Sequence, residues 1–132
     1  MMFPTVTATY AALLALIYAV ISSWVIVGRG RFRVLHGDGG SAPMNRRMRA
    51  HANFAEYVPM ILPLVGLLEA RGTGRVTLNI LLAVLVVTRV LHPIGMIAPE
   101  NSLQQYVCRG GSAAATLIVM TMAAVLLLVR FA

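Results

Sequence analysis

The chain has no lysine and very little acid. Four Asp and Glu residues stand against eleven arginines among 132 residues. Charged residues make up 11% of the sequence, where a soluble domain carries about 25%. So few charges cannot cover the surface of a soluble domain of this length. Disorder is excluded as well, because it requires low hydrophobicity and here 59% of residues are hydrophobic. The one cysteine, Cys108, rules out a disulfide framework within the chain and a cysteine-based zinc site, and no metal is expected. Residues 1–28 carry no charged side chain. The composition reads as an integral membrane protein.

Four apolar segments are expected to form helices, at about residues 5–27, 50–68, 76–97 and 110–129. Each is close to the ~20 residues that a helix needs to cross a ~30 Å hydrocarbon core. The first reads as a span rather than a signal peptide, because it lacks a positive leading region and is too long. The second contains Pro59 and Pro63, and the third contains Pro93. Neighbouring helices can satisfy the carbonyls that proline leaves free in a membrane helix. The segments and their short connections use up the chain, so residues 1–132 read as one all-α domain, a four-helix membrane bundle. The Gly37-Asp38-Gly39-Gly40 stretch is a turn signal and lacks the spacing and lysine of a phosphate loop.

Arginine placement sets the expected orientation. Arg29, Arg31, Arg33, Arg46, Arg47 and Arg49 lie between the first two segments against one acid, Asp38. This loop and the one holding Arg109 are assigned to the cytoplasm, with both termini outside. Arg130 closes the fourth segment. The same rule accounts for the basic excess, so no nucleic-acid partner is expected. The bilayer is the expected surroundings, and the basic loop should attract anionic lipid heads.

Polar residues at membrane depth face a bundle interior or another subunit. Arg46, Arg49, Asn53 and Glu56 are three, four and three residues apart, so they stack along one side of the second helix. Arg89 and His92 share a side of the third, and Arg109 begins the fourth. Together they are expected to surround one cytoplasm-facing volume that is strongly cationic. Arginine forks would suit carboxylates there, and Glu56 an amine. Alternatively, Glu56 pairs with Arg89 or Arg49 only to neutralise buried charge. His92 alone reads as a structural hydrogen-bonder. Tyr10, Tyr18 and Trp24 read as interface anchors or packing, and the methionines as gap fillers. Gly110 to Ala115 are small, which suits close packing, including between subunits.

The stretch Arg49-Ala50-His51-Ala52-Asn53-Phe54-Ala55-Glu56-Tyr57-Val58-Pro59 closely resembles the helix-two signature of the MAPEG family, the membrane-associated proteins in eicosanoid and glutathione metabolism. His36-Gly37-Asp38-Gly39-Gly40 resembles the loop of its bacterial members. Arg89-Val90-Leu91-His92 resembles the helix-three motif, and Arg109 with Ser112 and Thr116 the start of helix four. The resemblance implies a homotrimer of four-helix subunits in a bacterial inner membrane. It also implies that glutathione, as cosubstrate, binds between subunits and opens to the cytoplasm. Arg49, Asn53 and Glu56, with Tyr57 beside them, would then hold the peptide. Arg29, Arg89 and His92 would be further contacts, and Arg109 would be the catalytic residue that keeps the thiol as thiolate. The thiolate would go to a lipophilic electrophile or reduce a lipid peroxide. Met96 stands where the family often has Tyr, and the stretch from Met96 to Arg109 is longer than usual.

Two other functions compete. One is a non-catalytic scaffold or lipid-binding trimer that keeps the polar stripe for stability. The other is a small transporter, since small multidrug exporters share this length and helix number. Those rely on an acid in the middle of helix one, and none is present here.

Overall fold

The computed structural model describes residues 3–129, and Arg130 lies outside them. Those residues form four long helices and no strand. Helix α1 is Thr5–Phe32, α2 is Ala42–Ala70 and α3 is Arg75–Ile97. The last, α4, is Leu103–Val129. Its first turn, Leu103–Gln105, leads into a π-helical stretch, Tyr106–Gly111, before regular α-helix resumes at Ser112.

Three helices, α1, α3 and α4, are long and apolar enough to cross a membrane, so the chain is an integral membrane protein. The second segment, expected as a fourth apolar span, is different. At 29 residues α2 is long enough, but Arg46, Arg47, Arg49, His51, Asn53 and Glu56 crowd its first half. Except for α3, the helices are also longer than hydropathy suggests. Hydropathy marks the part of a helix that suits lipid and misses turns that continue into the polar boundary. Arg29 and Arg31 therefore sit on the last turn of α1, and Arg46, Arg47 and Arg49 on the first turns of α2. The expected basic loop is largely two helix ends joined by a short turn.

The core follows from helical spacing. Phe54, Val58, Ile61, Val65 and Leu68 form one buried stripe on α2. Leu78, Leu81, Leu82 and Leu85 on α3 meet it, with Val119, Ala123 and Leu127 of α4. Among the described residues α1 and α4 each pack on both α2 and α3 but not on each other. Helices α2 and α3 thus form the middle of a diamond. Pro59 and Pro63 lie one turn apart on the outer side of α2 and do not interrupt it.

The helix ends are tied by specific bonds. Val6 N and Thr7 N donate to the two carboxylate oxygens of Glu69 at 2.8 and 2.7 Å. The end of α2 thus caps the start of α1, where backbone donors lack helical partners and the helix dipole favours an anion. Just beyond α2, Gly72 takes a φ of 83° that suits glycine, and Thr73 N donates back to Leu68 O at 3.0 Å. At the arginine-rich end Asp38 Oδ1 accepts from Gly40 N at 2.9 Å and Oδ2 from Asn45 Nδ2 at 2.6 Å. Those two hydrogen bonds, the Asn45 one first, hold the Asp38 carboxyl below its usual range.

Candidate functional site

The buried stripe of α3 changes character along its length. It is apolar through Leu85 and then continues as Thr88, Arg89, His92, Gly95 and Met96. Arg89 is 1% exposed. Its Nη1 donates to Asn53 Oδ1 at 2.6 Å and more weakly to Asn53 O at 3.3 Å. Its Nη2 donates to Thr116 Oγ1, which itself donates to Ser112 O at 2.7 Å. One guanidinium therefore joins α2, α3 and α4 using neutral acceptors only. Among the described residues no carboxylate forms an ion pair with it; the salt bridge found is Arg46 to Glu100, at 2.7 Å on the surface.

Beside this network lies a cavity of about 240 Å³, lined by Arg49, Asn53, His92, Met96, Arg109, Gly110 and Ala113. Arg49 and Arg109 are exposed at its open side, whereas His92 is buried in its wall. The guanidinium groups of Arg89, Arg109 and Arg49 all lie within electrostatic reach of the His92 ring. No acid is among the lining residues. Three polar atoms in this region are buried without a hydrogen-bond partner: His92 Nδ1, Arg89 Nε and Ser112 Oγ. Buried polar groups are usually satisfied, and of these three His92 lines the cavity, where a polar ligand could complete it. Chemically, the cavity offers charge-assisted donors to carboxylates and a cationic field that favours a thiolate.

The residues expected to gather here divide into groups. Arg49, Asn53, His92 and Arg109 line the cavity, and Arg89 stands behind Asn53. Tyr57 is half-buried, packed on the core and close to Arg89. Glu56 is exposed on the outer side of α2, outside the lining, and pairs with neither Arg49 nor Arg89. Helical periodicity put it on the Arg49–Asn53 side, but a three-residue step also rotates a side chain partway around the helix. Arg29 is away from the cavity within this chain. Its Nη1 donates to Leu35 O and Gly37 O at 3.1 and 3.2 Å, which folds the turn after α1. Arg46 is drawn off to Glu100.

Gly95 had no reading in the sequence. A Cβ on it would sit 2.3 Å from Arg109 N and 2.6 Å from Cys108 C. The backbone of the π-helical stretch presses directly on α3 at that point, and this contact sets where Arg109 enters the cavity. Most of the stretch between Met96 and Arg109 is helical as well, with α3 ending at Ile97 and α4 starting at Leu103. Short π-helical stretches recur at functional sites. The sequence signals were the lone glycine inside an apolar helix and the Gly110-Gly111 pair after Arg109. Neither signal identifies a π-helix without the tertiary contact.

The profile of the MAPEG family matches residues 7–129. Inner membrane protein YecN of Escherichia coli strain K12 is 34% identical over 90 residues, covering 68% of this chain and 69% of that protein. Inner membrane protein YecN of Escherichia coli O6:H1 strain CFT073 matches to the same extent. No solved structure matches the chain. With the family profile covering nearly all of a four-helix bundle whose cavity is lined from helices two, three and four, the chain belongs to the MAPEG family.

Proposed function

We propose that the cavity binds glutathione at the cytoplasmic side of a bacterial inner membrane and presents its thiolate to a lipophilic electrophile or a lipid peroxide. The observation that carries this reading is a cavity flanked by three arginines with no acid in its lining. Glutathione brings two carboxylates, one ammonium and one thiol. Arg49 would fork a carboxylate, and the Asn53 amide, held by Arg89, would orient the backbone. Arg109 at the cavity mouth favours the ionised thiol, whose unperturbed pKa is about 8.5. The protein would contribute binding, orientation and charge stabilisation.

The cavity is smaller than the ~300–1,000 Å³ of most small-molecule pockets, so a tripeptide would project from its open side. Glu56, Pro59, Met60 and Pro63 face outward on α2. An exposed acid at membrane depth calls for a partner. A homotrimer, with a second copy closing the cavity and bringing Glu56 near the peptide's ammonium group, meets both needs. Arg29 could then act across that interface.

A scaffold role has one observation in its favour: the Arg89–Asn53–Thr116 network ties three helices together without any ligand. Calorimetric titration of glutathione into detergent-purified protein separates the two readings. We expect saturable binding that Arg49→Ala weakens tenfold or more, since a charge-assisted hydrogen bond contributes about 1.5–3 kcal/mol. Folded wild-type protein that shows neither binding heat nor a glutathione-dependent thermal shift overturns the glutathione reading and favours the scaffold.

A further inference from the structure

Two further cavities lie on the other side of α3. The lower one, about 190 Å³, is lined by Val20, Ile21, Trp24, Pro93, Ile94 and Ile97 and is almost purely apolar. The upper one, about 290 Å³, is lined by Trp24, Pro43, Arg46, Arg47 and Ile97. Trp24 and Ile97 belong to both, so an apolar groove between α1 and α3 leads into a pocket lined by two arginines, of which Arg46 is paired with Glu100 outside the lining. Val20 is 69% exposed and Ile97 58%, which leaves the groove open to the surroundings of the helices.

The upper end is built rather than incidental. Arg47 Nη1 donates to Trp24 O at 2.8 Å. The Arg47 guanidinium lies 4.9 Å from the Trp24 ring centroid and 5.6 Å from that of Phe32. Gly28 makes room for it: a Cβ there would sit 2.9 Å from Arg47 Cδ. Arg47 is thus held in place with donors to spare. Arg46 borders the same pocket but is already paired with Glu100 at 2.7 Å, and the two residues also line an adjoining cleft with Asp38, so among the described residues Arg47 is the unpaired cation of the pocket.

We infer that this groove is a binding site for an anionic phospholipid. An acyl chain would lie along Val20, Ile21, Ile94 and Ile97. The phosphate would sit at Arg46 and Arg47, with Trp24 at the boundary between them, where aromatic rings favour the membrane interface. Charge complementarity selects the occupant. The groove suits hydrocarbon and its upper end suits an anion, and a lipid carries both in that order. This site shares no residue with the glutathione cavity and does not depend on it.

Native mass spectrometry and thermal shift in detergent, with dioleoyl phosphatidylglycerol and dioleoyl phosphatidylcholine as probes, test the inference. We expect the anionic lipid to bind roughly tenfold tighter. The Arg46→Gln/Arg47→Gln variant should lose that preference, and Ile97→Trp, which keeps every polar group, should weaken both lipids by filling the groove. If the arginine variant does not fold, Ile97→Trp decides: unchanged lipid affinity overturns the site. Equal affinity of the two lipids for wild type overturns it, as does a preference that survives in a folded arginine variant. Competition by inorganic phosphate as strong as that of the lipid reduces the site to a headgroup pocket and overturns the acyl assignment. Crosslinking of an Ile94→Cys variant to its own twin, with no lipid bound, assigns the face to a second copy instead.

Discussion

At the scale of single residues, position matters as much as charge. Arg109 is exposed and long, yet its backbone is held within van der Waals contact of α3 because Gly95 carries no side chain. A methyl group there meets backbone atoms, which cannot swing aside as a flexible side chain can. We expect Gly95→Ala to displace Arg109 and to lower thiolate formation at least tenfold while the protein stays folded. Thiolate absorbance in the presence of glutathione, read beside the thermal midpoint, checks both halves. Arg89 is the opposite case, a buried charge that acts as a structural tie. Replacing it with Met strands the Asn53 side-chain oxygen and removes one partner of the Thr116 hydroxyl, which keeps its bond to Ser112 O. A loss of about 2–3 kcal/mol is expected from the broken bonds and unsatisfied acceptor. Unfolding in mixed detergent measures it, and a loss below about 0.5 kcal/mol would show that the network holds little together.

At the scale of elements, capping and bulging decide where helices begin and where they point. Glu69, at the last turn of α2, supplies both acceptors for the first turn of α1. Glu69→Ala should cost about 1 kcal/mol, the usual size of a lost N-terminal cap, and should raise amide exchange at Val6 and Thr7. Asp38 plays a similar part for the turn before α2. Its carboxyl is held below the ordinary carboxylate range, so its contribution is complete above that range and is lost as pH falls through the lowered value. Protection of the Gly40 amide is therefore expected to persist to mildly acid pH and to vanish only in strong acid. In Asp38→Asn that acid step should be absent. These elements also show what the sequence could carry. Apolar runs located all four helices, and in α1, α3 and α4 the run is long enough to cross a membrane because lipid-facing surface leaves a compositional mark. The extra turns beyond the runs were not legible, since α-helix persists into the polar boundary without needing apolar residues. The π-helical stretch was not legible either, because it depends on Gly95, distant in sequence but in contact across the fold.

At the scale of the whole molecule, the bundle is a diamond in which α2 and α3 occupy the middle and their arginine-rich ends meet α4. Spacing along each helix was enough to place Arg49, Asn53, His92 and Arg109 near one another. It could not show that Glu56 faces outward, because a one-chain helix wheel does not say which neighbour lies on which side. Nor could it show that Arg29 is engaged by the turn after α1, which requires the path of the loop. The arrangement concentrates positive charge on one small cavity and leaves it without an internal counter-ion.

Ionisation of glutathione's thiol in the cavity is the property from which the proposed chemistry follows. The decisive measurement is the ultraviolet thiolate difference spectrum of saturated wild-type protein and of Arg109→Ala across neutral pH. The thiol should titrate well below its free value in wild type and return toward about 8.5 in the variant, with binding retained. Identical titration in the two proteins, at the free value, would contradict the account.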